Sequence, residues 1–289
     1  MKIHLVDGTY ELFRAHFGAP PKKAPDGREV GATLGLLRSM LLLLSNPEVT
    51  HVAVAFDHVI ESFRNKLYAG YKTGAGVDPV LMSQFPLAEK AVSALGLVTW
   101  PMVKFEADDA IATAVERFKK NKSVEQIIIC SVDKDLTQMV DGNRVICWDR
   151  RREIILNEKG VVEKFGVSPR SIPDYLALVG DSADGYPGIQ GWGEKSVATV
   201  LSKYKHIESI PNDPNKLGLG LGRATTLLEN IQRNYKDALL FRELSTLRTD
   251  VPLKETLNDL RWQGAYSRLK KLCRELGDDR IPERITKWR

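Results

Sequence analysis

The chain has 289 residues, of which 43% are hydrophobic, so it can bury a core larger than that of a typical single domain. Its three cysteines have no metal-type spacing and leave one thiol over, which argues against a disulfide framework. No apolar run is long enough for a signal peptide or a membrane span. With a formal net charge of +5, the sequence predicts a cytoplasmic protein without a membrane partner.

Strand-like and helix-like segments alternate along the first half of the chain. Alternation of this kind is typical of a doubly wound α/β domain, in which helices cover both faces of a mainly parallel sheet. We therefore expect an α/β domain over residues 1–166. The predicted strands are 3–6, 52–56, 97–100, 127–130 and 144–147, and the clearest helical periodicity lies at 30–44, 87–95 and 107–118.

Two regions depart from this alternation. Residues 61–84 are basic and rich in glycine, and they are too irregular for a core element, so we predict a mobile loop or a helical arch there. From about residue 167 no strand alternation remains, and Gly- and Pro-rich turns separate short helical runs. This pattern predicts a helical subdomain over residues 167–289, with a joint at 211–222.

Acidic residues recur in short clusters, several of them directly after a predicted strand. In an open α/β sheet the residues that follow the strands line the ligand crevice, so distant acids can converge there. Converging carboxylates repel one another unless hard cations lie among them, which predicts Mg²⁺ or Mn²⁺. The nine acids are Asp7, Asp57, Glu106, Asp108, Asp109, Asp133, Asp135, Asp181 and Asp184.

The charge balance and the local position of these acids each allow a second interpretation. If the nine acids share one pocket, 28 Asp and Glu remain against 42 Lys and Arg, which suits an enzyme that acts on a polyanion. Ordinary solubility charge explains the same numbers. The acids at 106–109 and 133–135 stand where a helix is predicted to begin, so capping and dipole compensation remain an alternative to metal binding.

A glycine-rich turn at 188–196 leads into a predicted helix. Glycines let a backbone approach phosphate closely, and a helix N-terminus favours negative charge. The spacing between Gly193 and Lys195 and the lack of a preceding strand exclude a nucleotide P-loop. A helix-hairpin-helix turn that holds a DNA backbone fits better, while a helix–turn–helix without a ligand remains an alternative.

Taken together and in order, these motifs resemble the 5′-nuclease family of flap endonucleases and 5′–3′ exonucleases. The nearest likeness is to the N-terminal nuclease domain of bacterial DNA polymerase I, over about residues 2–255, and with no polymerase portion following we expect a stand-alone member. The motifs are Val6-Asp7-Gly8, Phe56-Asp57, Tyr71-Lys72, Glu106-Ala107-Asp108-Asp109, Asp133-Lys134-Asp135, Gly180-Asp181, Pro187-Gly188-Ile189 and Leu247-Arg248-Thr249-Asp250.

The resemblance implies a PIN-like α/β fold with a helical arch and a helix-hairpin-helix subdomain. It implies two Mg²⁺ or Mn²⁺ ions on the nine acids and hydrolysis of DNA near a 5′ end or a single-strand/duplex junction. Lys72 and Arg64 fall on arch cations that act in catalysis, and a K⁺ ion is expected in the DNA-binding turn within 183–204. We also expect a monomer that works with a replication or repair polymerase. The predicted DNA-binding residues are Phe13, Arg14, Tyr71, Gly188, Gly191, Gly193, Lys195 and Ser196.

Three departures from the family pattern qualify these expectations. Gly185 stands where asparagine is common, which predicts a looser Asp184. Ala75 replaces an arginine, which predicts weaker phosphate clamping, and Phe13 replaces a tyrosine. The departures at Gly185 and Ala75 keep open a DNA-junction binder that does not cut. A PIN-type ribonuclease is a second alternative, which the basic arch and the glycine turn disfavour.

Overall fold

The computed structural model describes residues 1–289, and the chain forms two compact units. Unit 1 comprises residues 1–60, 74–132 and 249–289, and unit 2 comprises residues 61–73 and 133–248. None of the helices combines the length and the apolar character needed to cross a membrane.

Six strands and thirteen α-helices succeed one another along the chain, with short 3₁₀ helices at 135–139, 169–171, 207–209 and 214–216. The strands are β1 (Lys2–Asp7), β2 (His51–Asp57), β3 (Val98–Met102), β4 (Gln126–Cys130), β5 (Val145–Asp149) and β6 (Ile154–Leu156). The helices are α1 (Gly8–Gly18), α2 (Gly31–Leu44), α3 (Arg64–Leu67), α4 (Pro79–Met82), α5 (Phe85–Ala94), α6 (Ala107–Phe118), α7 (Glu158–Phe165), α8 (Ile172–Val179), α9 (Glu194–Tyr204), α10 (Leu221–Arg233), α11 (Tyr235–Ser245), α12 (Arg268–Glu275) and α13 (Arg280–Glu283).

Unit 1 is built on a parallel sheet with the order β3-β2-β1-β4. Side chains on both faces of the central strands are fully buried, for example Leu5, Val6 and Val54, which explains why these strands are continuously apolar. The chain builds outward from β1 to β3 and then crosses to β4 on the other side of β1. Ligands of open α/β sheets bind beside such a reversal, at the carboxyl ends of the strands.

The five predicted strands and the three predicted helices are all present, and the predicted mainly parallel α/β class is confirmed. Strand β6 was not predicted. It has three residues, pairs antiparallel with β5 in unit 2 and is largely exposed. Such a short edge strand carries too little periodicity to be recognised. The predicted arch region at 61–84 contains two helices of four residues each, α3 in unit 2 and α4 in unit 1.

The C-terminal segment packs differently from the prediction. We expected residues 249–289 to belong to the helical subdomain, but they lie in unit 1, where Trp262 N donates to Thr50 O at 2.8 Å and Tyr266 N donates to Ala94 O at 2.9 Å. The amphipathic helix α12 buries Leu269 and Leu272 in this unit. The tail contains the helices α12 and α13, but helical periodicity does not tell which unit an apolar face covers.

Unit 2 is mainly helical, and a turn with two closely apposed glycines joins α8 to α9. Gly180 and Gly188 have φ of +90° and +72°, and a Cβ on Gly188 would lie 2.4 Å from Gly180 N. Only glycine allows this approach. Ile189 N donates to Leu178 O at 2.9 Å, and the Trp192 indole donates to Leu227 O of α10 at 3.0 Å, so α10 holds the turn in place.

Candidate metal centre

Three of the predicted metal-binding acids lie together in unit 2. One carboxylate oxygen from each of Asp135, Asp181 and Asp184 lies within 4.8 Å of the other two, and each side chain is buried. We call this set the acidic trio. Oxygen ligands on opposite sides of a hard divalent cation are roughly 4–5 Å apart, because each lies about 2.0–2.6 Å from the ion. The trio therefore has the dimensions of a cation site.

The carboxylate of Asp135 has the chemistry of a metal ligand. The residue is 5% exposed, and its Oδ1 atom has no hydrogen-bond partner. Burial, and after it the negative charges of Asp133, Asp184 and Asp181, raise the pKa of Asp135 well above its usual value. A buried carboxylate oxygen without a hydrogen-bond partner is suited to bind a divalent cation, so these residues fit the predicted Mg²⁺ or Mn²⁺.

Two lysines place positive charge next to the acidic trio. Lys72 Nζ lies 3.0 Å from Asp184 Oδ1, and Lys134 Nζ pairs with Asp181 Oδ2. Burial lowers the pKa of Lys134, but the hydrogen bond and charge of Asp181 outweigh it, and the pKa is raised. The Lys134 ammonium thus remains protonated, and the two ion pairs offset part of the acidic charge. The sequence analysis did not assign a role to Lys134.

Asp184 is held more firmly than its sequence context suggested. Its Oδ2 accepts a hydrogen bond from the Tyr71 hydroxyl at 3.2 Å, and its carbonyl oxygen accepts one from Lys72 N at 2.9 Å. Gly185 has φ of +87°, and a Cβ there would lie 2.2 Å from Gly70 O. The looser Asp184 predicted from Gly185 is therefore wrong, because the glycine permits the close packing that fixes its neighbour.

The fourth predicted acid of unit 2, Asp133, stands beside the trio. Its side chain is exposed, and its Oδ1 accepts a hydrogen bond from Asp135 N at 2.9 Å. This side-chain-to-backbone contact lies at the start of the 3₁₀ turn at 135–139 and holds the backbone that carries Asp135. In the 133–135 cluster, Asp133 thus supports the start of the turn, whereas Asp135 belongs to the acidic trio.

In unit 1, two predicted metal acids end neighbouring parallel strands. Asp7 ends β1, where its Oδ2 accepts from the Ser131 hydroxyl and its Oδ1 accepts from Tyr10 N at the start of α1, each at 2.8 Å. Asp57 ends β2, and its Oδ1 accepts from Ala107 N at 2.7 Å. These contacts place both carboxylates at the carboxyl edge of the sheet, as the sequence predicted.

The cluster at 106–109 opens α6 beside Asp57. Glu106 is buried and Asp108 is half-buried, whereas Asp109 is completely buried and its Oδ2 accepts from Glu106 N at 3.0 Å. Asp109 therefore makes the helix-start contact that was the alternative interpretation of this cluster. Glu106 and Asp108 lie at the same helix start as the Asp57 contact and remain candidate ligands.

The glycine-rich turn exposes some of its predicted DNA-binding groups and buries one. Gly191, Gly193 and Lys195 are exposed, and Gly188 is half-buried. Ser196 is 1% exposed, and its hydroxyl accepts a hydrogen bond from Arg223 Nη2 at 2.6 Å. We therefore correct the prediction for Ser196, because a side chain buried beneath Arg223 cannot reach a DNA backbone. The exposed Arg223 was missed because it is 27 residues away in the sequence.

The predicted aromatic–arginine pair lies on α1. Phe13 is half-buried and packs edge-on against Phe85, with ring centroids 6.1 Å apart. Arg14 pairs with Glu11, which is 1% exposed, and Arg14 Nη2 donates to the Ser39 hydroxyl at 3.0 Å. The guanidinium is thus held in one orientation and remains 25% exposed.

Comparison with known proteins decides which family combines these features. Residues 2–166 match the family described as 5'-3' exonuclease, N-terminal resolvase-like domain, and residues 167–268 match 5'-3' exonuclease, C-terminal SAM fold. The chain belongs to the 5′–3′ exonuclease family. A 5'-3' exonuclease of Aquifex aeolicus is 32% identical over 278 residues, which cover 95% of this chain and 94% of that protein.

Other relatives of this 5′–3′ exonuclease family member are longer or more distant. DNA polymerase I of Rhizobium leguminosarum is 36% identical over 267 residues, which cover 89% of this chain but only 26% of the polymerase. The T5 D15 protein co-crystallised with metal ions has a TM-score of 0.69 at 15% identity, covering 98% of this chain and 97% of that one. The catalytic core of Rad2 in complex with DNA substrate has a TM-score of 0.64 at 11% identity, covering 98% and 91%. Both structures share the fold.

Two arch residues have other roles in this family member than predicted. Tyr71 is 3% exposed and supports Asp184, so its ring cannot stack on a DNA base. Arg64 is 1% exposed, and its guanidinium donates to Leu244 O at 2.7 Å and to Thr246 O at 3.1 Å. It also lies over the Phe63 ring at 4.7 Å. The catalytic role predicted for Arg64 is not supported, because its guanidinium donates hydrogen bonds to backbone carbonyl groups at the end of α11.

We expect Arg64→Met to destabilise the protein by about 2 kcal/mol, since buried carbonyl oxygens lose their donors. The folded fraction should keep its nuclease activity. Thermal unfolding together with the specific activity of folded protein tests this, with Lys66→Met as the control because Lys66 is exposed on the same helix. Normal stability with a large loss of activity would instead support a catalytic Arg64.

Proposed function

We propose that this protein hydrolyses DNA phosphodiester bonds near 5′ ends and at single-strand/duplex junctions, using two Mg²⁺ or Mn²⁺ ions. The observation that carries the proposal is the buried trio of carboxylates in which Asp135 Oδ1 has no protein partner. The exonuclease family and its relatives support the reaction class.

Each unit contains its own candidate metal ligands. Asp135, Asp181 and Asp184 would hold one cation, and the unit 1 acids Asp7, Asp57, Glu106 and Asp108 would supply ligands for another. When bound, divalent cations lower the pKa of water and stabilise charge on phosphate oxygens. Asp109 and Asp133 support these ligands, through contacts with the backbones of Glu106 and Asp135.

Positive groups in each unit would contact the DNA. Lys72 is 28% exposed and supplies charge to the scissile phosphate. The N-terminus of α9 has no side-chain cap, and with Lys195 and Arg223 it presents positive charge to a duplex backbone. Arg14, held by Glu11, and Phe13 bind the first nucleotide through charge and stacking. A K⁺ ion at the turn, a monomeric state, a cytoplasmic location and a partner polymerase belong to the same proposal.

Cleavage of a 5′-labelled DNA flap in Mg²⁺ tests the proposal. We expect cuts near the junction that are abolished by a chelator. Tight flap binding without cutting in Mg²⁺ or Mn²⁺ would contradict it and would indicate a junction-binding protein. A matched RNA flap distinguishes the ribonuclease alternative, because RNA carries 2′-hydroxyl groups throughout. Preferential cutting of RNA would overturn the assignment of DNA as substrate.

We expect Lys72→Met to slow flap cleavage by about 10²-fold, since the transition state loses one stabilising positive charge. Lys72→Arg should keep most of the rate. Because Lys72 also neutralises Asp184, its removal leaves more negative charge at the trio, and the Mg²⁺ concentration for half-maximal rate should not increase. Rates measured against Mg²⁺ concentration test both statements. If the rate of Lys72→Met recovers fully at high Mg²⁺, Lys72 acts in metal binding and not in catalysis.

A further inference from the structure

Tyr186 places a buried hydroxyl group in unit 2 without a hydrogen-bond partner. The residue is 1% exposed, and its ring stacks on Phe241 with centroids 5.5 Å apart and planes 22° apart. Phenylalanine would make the same stacking contact. Buried tyrosine hydroxyls normally have a partner, so this group requires an explanation beyond packing.

The hydroxyl lies within electrostatic reach of the acidic trio. The backbone of Tyr186 pairs with that of Asp181, through Asp181 N to Tyr186 O at 2.8 Å and Tyr186 N to Asp181 O at 3.0 Å. Burial, followed by the charges of Asp135, Asp184 and Asp181, raises the pKa of Tyr186. A tyrosine hydroxyl carries its proton at neutral pH, so this group is available as a hydrogen-bond donor.

Asp135 Oδ1 is a complementary group in the same surroundings. It is a buried acceptor without a partner, and Tyr186 carries a buried donor without a partner. Two backbone hydrogen bonds join Tyr186 to Asp181, and one carboxylate oxygen of Asp181 lies within 4.8 Å of one of Asp135. Mg²⁺ gives up its waters reluctantly and usually keeps several of them when bound to protein. A coordinated water between such groups would accept a hydrogen bond from the hydroxyl, and the carboxylate would bind the ion.

Ser245 is the competing partner for this hydroxyl. It lies close enough to lower the pKa of Tyr186, yet the two hydroxyls do not form a hydrogen bond of normal geometry. The Ser245 hydroxyl instead lies 3.0 Å from the carbonyl oxygens of Pro173 and Phe241 and 3.1 Å from that of Arg242. Its single proton is thus committed to backbone carbonyls, so Ser245 does not donate to Tyr186, and the Ser245 oxygen as an acceptor is the alternative that Ser245→Ala tests.

We infer that Tyr186 is a positioning residue for the cation held by the acidic trio, and that its hydroxyl donates a hydrogen bond to a water in the coordination shell of that ion. The inference rests on the proposed function, since it requires a divalent cation at the trio. It also implies that the ion remains partly hydrated when bound by Asp135, Asp181 and Asp184.

Calorimetric titration of the metal-free protein with Mn²⁺ tests the inference apart from nuclease activity. We expect Tyr186→Phe to weaken Mn²⁺ binding at the trio by roughly 10-fold or more, as is usual when a partner of a metal's ligands is lost. The heat assigned to the trio is the part that Asp135→Asn removes. Tyr175→Phe is the matched control, because Tyr175 is 5% exposed in the same unit and packs edge-on against Phe165.

Each outcome separates the inference from the proposed function on which it rests. If the wild-type protein shows no Mn²⁺ binding that depends on Asp135, the proposed metal site itself fails. If wild type binds Mn²⁺ and Tyr186→Phe binds it equally well, only the Tyr186 inference is overturned. An equal loss of affinity in Ser245→Ala would also overturn it, because the hydroxyl would then act through Ser245. Thermal unfolding of each variant shows whether the titrated protein is folded. Tyr186→Phe should be folded, because phenylalanine keeps the stack on Phe241.

Discussion

In the absence of metal, Asp135→Asn should raise the midpoint of thermal unfolding at pH 8, while flap cleavage in Mg²⁺ falls by about 10³-fold or more. The loss of activity follows from the loss of a cation ligand, since the charge stabilisation supplied by an ion is worth several kcal/mol and each 1.36 kcal/mol is tenfold in rate. The gain in stability follows from the position of Asp135 among other buried acids.

The direction of the stability change follows from the raised pKa of Asp135. Burial and the charges of Asp133, Asp184 and Asp181 make the folded state bind the Asp135 proton more tightly than the unfolded state does. Stability of the metal-free protein therefore decreases as the pH rises from the ordinary aspartate pKa of 3.8 through the raised folded-state pKa. Asparagine is neutral at all pH values, so the variant does not lose stability in this window.

Mg²⁺ should make wild type more stable than Asp135→Asn, the reverse of the order expected without metal. A ligand that binds only the folded state stabilises it in proportion to the logarithm of its concentration over its dissociation constant. Wild type should thus gain thermal stability with added Mg²⁺, and Asp135→Asn should gain less. Calorimetry at pH 5 and pH 8, each with chelator and with Mg²⁺, measures the unfolding midpoint of both proteins under these four conditions.

Asp174→Asn is the matched control for this experiment. Asp174 is 2% exposed in the same unit, but His206 Nδ1 and Ile207 N lie 2.9 and 3.0 Å from its carboxylate, and Arg242 lies 3.2 Å away. Neutralising a satisfied carboxylate should lower stability at pH 8, opposite to Asp135→Asn. If both variants lose stability without metal, Asp135 is not under charge repulsion and the metal assignment is weakened.

The sequence predicted the parts of this protein that depend on local pattern. Asp7 and Asp57 follow apolar strands, and the general geometry of parallel sheets is sufficient to place them at one edge. The turn at 188–196 is likewise visible as a glycine-rich stretch before α9, although the close approach of Gly188 to Gly180 is not. In these cases a short stretch of chain and one rule of fold geometry determine where the residue lies.

The errors concern side chains whose direction is decided by distant residues. Arg64 and Tyr71 lie in a basic segment that suggested exposure, yet both are buried by contacts with residues more than 100 positions away, Leu244 and Asp184. The importance of Tyr186 depends on acids and on Phe241, which come from separate parts of unit 2. Composition and periodicity contain no information on such pairings.

Gly185→Ala should destabilise the protein by about 4 kcal/mol and abolish cleavage in whatever protein remains folded. A φ of +87° costs an L-residue roughly 1–2 kcal/mol, and the new Cβ would also lie 2.2 Å from Gly70 O, a backbone atom that cannot move alone. Relief of the collision must separate Gly185 from the segment of Lys72, whose backbone amide binds Asp184 O. Asp184 would then lose the support that orients it in the trio.

Gly76→Ala separates the two causes of this effect. Gly76 has the same φ of +87°, but a Cβ there would have no neighbour within 4 Å, so its substitution measures the backbone cost alone, about 1–2 kcal/mol. The difference in unfolding free energy between the two variants is the cost of the collision with Gly70. If the variants are equally stable and equally active, the contact between Gly185 and Gly70 does not hold Asp184, and the family's asparagine at this position should then be tolerated. A larger loss in Gly185→Ala, accompanied by weaker Mn²⁺ binding at the trio, means that this chain uses glycine to fix Asp184 by close backbone packing.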